Sequence, residues 1–138
     1  MTPILYRISA VLLLIFAAGH TFGFYRIDAN AETDAVVRSM MSVQFDILGS
    51  TRTYWDLYLG FGFVISSLIL FSAAAAWQLS RIPLTVLAGL RGITWPFAIA
   101  FGAVTFLAWK FFFILPGVLC SAIVICLTAG AWTSSKQR

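Results

Sequence analysis

The sequence predicts an all-α membrane protein: a four-transmembrane-helix bundle with an amphipathic helix in its long first connection. Three observations predict it. Hydrophobic residues fill 61% of the 138 positions and charged residues only 10%, against about 25% charged in a soluble domain. The apolar residues gather into four segments, each near the roughly 20 residues that a helix needs to cross the hydrocarbon. Those segments are apolar on every side, whereas the strands of a membrane barrel alternate apolar with polar.

The first span covers about residues 3–24. Arg7 followed by "ISAVLLLIFAAG" has the look of a secretory signal with a small-residue cleavage site. Three further spans follow, so it is expected as a retained helix. The second span runs over about 54–79, the third over about 83–109 and the fourth over about 115–132, all within one transmembrane domain. Arg81 and Pro83 punctuate the second and third, and Pro83 suits a first helical turn. Lys110 and the Pro116-Gly117 pair mark the last turn. Trp55, Trp77, Trp109 and Trp132 fall near span ends, where indoles favour the interface; Trp95 is mid-span.

The long connection, residues 25–53, holds its own pattern. Val36, Met40, Val43 and Ile47 recur at helical spacing, with Val37, Met41 and Leu48 beside them. A surface helix over about 33–48 is expected, capped by Thr33 or Asn30 and stopped at Gly49. It covers the helix ends, or forms a lid over a cavity.

Charge narrows the partners. A net charge of +4 without a Lys/Arg cluster excludes a nucleic-acid surface and fits flanks that meet anionic lipid. Arg7, Arg81, Lys136 and Arg138 on one side against Arg26, Arg38, Arg52 and Lys110 on the other give an almost even count. Both termini are expected in the cytoplasm.

Several chemistries drop out. Cys120 and Cys126 are six residues apart on one helix and face different ways. One histidine and two thiols do not make a metal centre, nor a bis-histidine haem site within the chain. No phosphate loop, nucleotide fingerprint or nucleophile elbow is present. No cofactor is expected.

What remains is a short set of polar residues in apolar surroundings. Thr53-Tyr54-Trp55-Asp56 matches a capping box ahead of the second span, with Asp56 in the first turn beside the positive end of the helix dipole. Asp56, Gly60, Phe63 and Ser67 then form a helical stripe. His20, the only histidine, lies about 10 Å from the bilayer centre on the same membrane face as Asp56. A polar group at that depth needs a partner, so His20 and Asp56 are the candidate catalytic pair, able to move a proton near neutral pH or simply to join two helices. Arg91 is expected about two turns into the third span, where it either snorkels outward or meets a head group or carbonyl inside. Pro96 is expected to kink that helix beside Trp95.

The motifs "GHTFGF", "GSTRTYWDLYLGFGF" and "AWKFFFILPGVLCSA" resemble those of a group of small bacterial four-span membrane proteins. That resemblance implies four helices in a bacterial cytoplasmic (inner) membrane and transfers no reaction; its middle motif points to His20, Arg52, Tyr54, Trp55, Asp56 and Tyr58. The layout is also similar to emopamil-binding-type sterol isomerases, whose acidic constellation is not reproduced. Two functions are expected. One is a lipid-binding protein that takes a lipophilic molecule or a larger membrane complex near the interface, with Arg52, Tyr54, Trp55, Tyr58, Arg91 and Trp95 as ligand-binding residues. The other is an intramembrane isomerase or oxidoreductase acting on a sterol, quinone or polyprenyl lipid through His20 and Asp56. Transport ranks third, because few polar residues are available to line a path. The partners expected are membrane lipids, a lipophilic small molecule, and further copies of the chain or other subunits. Self-association would use Ala73 to Ala76 or Gly89 and Gly92.

Overall fold

A computed structural model describes residues 1–25 and 31–136. The chain is an all-α, multi-pass membrane protein. Among the described residues, four helices are long and apolar enough to cross a bilayer: α1 (Thr2–Tyr25), α3 (Tyr54–Leu79), α5 (Arg91–Phe111) and α6 (Ile114–Ser135). Between them lie α2 (Ala31–Ser42), a hairpin of β1 (Gln44–Ile47) and β2 (Ser50–Thr53), and the one-turn α4 (Leu84–Leu87). The helices exist because lipid offers no partners for backbone amides, so each span must satisfy its own. Residues 1–16 with 69–138 form one compact unit, and residues 17–68 form a second.

In the first unit, α5 and α6 turn back on each other through Phe112 and Phe113. They close tightly where Gly117 faces Trp109: a Cβ there would come within 2.8 Å of the indole. The indole N–H donates to Ser121 Oγ at 3.0 Å, which removes a bare donor from the apolar layer. On α3, Ile69, Ala73 and Ala76 are buried. Ala73 and Ala76 therefore pack inside the unit rather than offering themselves to another copy. Cys120 is buried, Cys126 half-buried, and both are free.

Two expectations about elements are corrected. The surface helix expected over 33–48 stops at Ser42, and residues 44–53 form an antiparallel hairpin pairing Gln44 with Thr53 and Ile47 with Ser50. Its two-residue turn has positive φ at Leu48 (49°) and Gly49 (79°), the backbone that matches strand twist. Gly49 thus closes a turn instead of stopping a helix. Thr33 is the third residue of α2 rather than a residue ahead of it, while Asn30 lies outside the described residues. The third span, expected over about 83–109, breaks at Ala88 to Leu90 into α4 and α5. Arg91 consequently opens α5 and is not two turns deep. Pro96 sits inside α5, five residues from its start.

Candidate functional site

The second unit gathers most of the candidate residues on the end of α1 and the first half of α3. Phe24 and Gly62 make the meeting possible. A Cβ at Gly62 would lie 2.5 to 2.8 Å from the Phe24 ring, so only glycine lets that ring lie against the α3 backbone. Phe24 packs edge-on to Tyr58 and Phe63, at 6.2 and 5.2 Å between centroids, an arrangement aromatic quadrupoles favour. The Tyr58 hydroxyl donates to the Phe24 carbonyl at 3.0 Å, which ties α3 to the last described turn of α1. Trp55 stacks on Tyr58 at 5.4 Å and 23°.

One turn before Phe24 is His20, half-buried, with its ring 5.3 Å from that of Phe24. Its Nδ1 lies 3.0 Å from Ser66 Oγ on α3. Ser66 is buried, and its oxygen is 2.8 Å from the Thr21 hydroxyl. Thr21 also lies 2.7 Å from the Ala17 carbonyl. Proton arithmetic orders this chain. A carbonyl only accepts, so Thr21 donates to Ala17; Thr21 then accepts from Ser66, and Ser66 accepts from His20. In that order the imidazole proton sits on Nδ1.

Asp56 does not join them. Its carboxylate accepts from the Thr53 backbone N–H at 2.9 Å, and its own N–H donates to Thr53 Oγ1 at 3.1 Å. This is the reciprocal capping box. His20 meets α3 at Ser66, ten positions further along, or about 15 Å of helix rise. The two candidate proton carriers are therefore not a pair. Asp56 is fully exposed to solvent and serves the helix end.

The remaining candidates separate. Tyr54 leans on Phe45 of the hairpin at 4.9 Å. Exposed Arg52 donates to the Thr51 carbonyl at 2.8 Å. Arg91 and Trp95 belong to the first unit. Arg91 donates from Nη2 to the Ser135 carbonyl at the end of α6, and Trp95 meets Trp132 edge-on at 6.3 Å. Gly60 has open space where a side chain would stand, as do Gly19 and Gly23 beside His20.

Sequence reasoning missed Ser66, Thr21 and Phe24. A signal was there: Tyr58, Gly62 and Ser66 repeat every four residues, as do His20 and Phe24. The stripe through Asp56, Gly60, Phe63 and Ser67 shares Phe63 with the face actually used and otherwise lies beside it. Among the described residues, no group of His, Cys, Asp or Glu could hold a metal ion. No family model, no curated protein and no solved structure matches the chain.

Proposed function

We propose that this is a non-catalytic lipid-binding membrane protein, and that a lipophilic molecule with one polar end sits against the α1–α3 face of the second unit. The observation that carries the reading is the His20–Ser66–Thr21 hydrogen-bond chain at the inner end of an aromatic row. From Ser66 to Tyr58 is about 12 Å of helix rise, a length suited to a flat ring system. A hydroxyl or carbonyl would exchange into the polar chain, while Phe24, Tyr58 and Trp55 would cover the apolar body. The bare backbone at Gly19, Gly23 and Gly60 supports close approach of such a ring. The separation of Asp56 from His20 favours binding over a proton-moving enzyme. The proposed setting is a bacterial cytoplasmic membrane, in line with the motif resemblance, with both termini inside on the Lys/Arg count.

The test uses the full chain in nanodiscs. A short-chain benzoquinone and a 3-hydroxysterol are titrated while Trp55 and Tyr58 emission is followed. Saturable binding by either probe is expected, weakened about tenfold by His20→Ala or Ser66→Ala through loss of the polar contact, with helicity unchanged. Absence of saturation by both probes, or affinities untouched by both variants, overturns the reading.

A further inference from the structure

The first unit carries a separate polar cluster, where α1 and α5 begin and α6 ends. Tyr6, one turn into α1, is fully buried, with its ring against Gly130 of α6; a Cβ there would lie 3.0 Å from it. Its hydroxyl faces Thr94 of α5 and Ser134 of α6 without closing a hydrogen bond to either. Thr94 is 1% exposed, and its hydroxyl is likewise unpartnered. Arg91 stands three positions before Thr94, on the same face of α5. Its Nη2 is engaged at Ser135, but its Nε is buried with no acceptor. Buried polar atoms are rarely left in that state.

Arg91 Nε can only donate, while the two hydroxyls can donate or accept, so an acceptor is the one group that would serve all three atoms. Charge leads to the same conclusion. Every Asp and Glu of the chain lies between residues 28 and 56, and the first unit contains none of them. It holds Arg7, Arg81, Arg91, Lys110, Lys136 and Arg138 instead. Arg91 thus has no carboxylate side chain in its own unit and relies on the partial negative charge of the α6 terminus. At this end Arg81 lies 5.9 Å from the Trp77 ring and Lys136 lies 5.2 Å from the Trp132 ring. Such indole–cation pairs suit the head-group layer.

We propose that Arg91, Thr94 and Tyr6 bind a phosphate oxyanion supplied by the head group of an anionic phospholipid. Arg91 keeps its Ser135 bond and turns Nε to the phosphate. Thr94 and Tyr6 add hydroxyl donors from α5 and α1, so one lipid ties together the starts of two spans and the end of a third. Because Arg91 is half-buried, the phosphate enters from its exposed side.

The experiment is native mass spectrometry of the full chain in detergent with equal phosphatidylglycerol and phosphatidylcholine. Preferential retention of phosphatidylglycerol is expected. It falls about tenfold in Arg91→Gln and several-fold in Tyr6→Phe and Thr94→Val, which preserve volume and carry the test if Arg91→Gln fails to fold. His20→Ala leaves retention unchanged, which separates this site from the proposed lipophile face. Equal retention of both lipids overturns the proposal. So do Tyr6→Phe and Thr94→Val proteins that melt higher and retain lipid as before, because the hydroxyls would then be merely orphaned. A second arm compares melting of lipid-free protein in sodium phosphate and in sodium chloride of equal ionic strength. No difference supports lipid as the source. Stabilisation by phosphate that requires Arg91 overturns the lipid assignment in favour of a free anion.

Discussion

At Gly62 a single hydrogen atom decides whether the end of α1 can lie against α3. Gly62→Ala pushes a methyl into the Phe24 ring and is expected to cost about 1–3 kcal/mol. Gly60→Ala, two residues away with open space beside it, is expected to gain about 0.5–1 kcal/mol by removing a helix glycine. Equilibrium unfolding in mixed micelles measures both, and equal effects would refute the close approach. The capping box gives a second contrast. Thr53→Ala is expected to lose about 1 kcal/mol, and Asp56→Ala to weaken the same helix end without changing lipophile affinity. The box was legible from Thr53 and Asp56 alone. The partner of His20 was not. Asp56 was assigned both to the cap and to the imidazole, yet one exposed carboxylate at a helix start cannot also reach about 15 Å along the axis. Ser66 gave no electrostatic signal, because a serine in an apolar helix looks the same whether it bonds its own backbone or a neighbour.

Among the elements, the spans were the most readable part, since length and unbroken apolarity suffice to mark them. The connection was misread for a physical reason. Gln44 to Ile47 is too short to show whether its period is 3.6 or 2, and the stripe through Val43 and Ile47 suited a helix equally well. What decides is the Leu48–Gly49 turn, which needs positive φ twice. Leucine is a poor fit there, and Leu48 is wholly exposed. Leu48→Asn is expected to stabilise the hairpin by about 1 kcal/mol, because asparagine tolerates that backbone. Slower amide exchange across the Ile47–Ser50 pair would show it. A similar ambiguity hid the break before Arg91. The sequence around Ala88, Gly89 and Leu90 is as apolar as a span, so hydropathy alone carried the third helix through the turn.

For the whole molecule the expectation is one of sidedness: four crossings would leave both termini and the α3–α5 connection on one side of the bilayer and the hairpin on the other. With Cys120 and Cys126 replaced by Ser, a Leu48→Cys and a Lys136→Cys variant are expected to react with an impermeant maleimide from opposite faces of sealed vesicles. Labelling of both from one face would refute four crossings. Charge is divided along the chain as well, with all carboxylate side chains confined to the stretch from Asp28 to Asp56. Within that stretch, Thr53 belongs to two structures at once. It is the final rung of the hairpin, opposite Gln44, and also the cap from which α3 starts. No slack separates ladder from span, so the hairpin acts as a key that fixes the rotation of the shaft below it. One residue inserted after Thr53 would turn the helix by about 100°, swinging Ser66 out of line with His20 while leaving composition and hydropathy almost untouched.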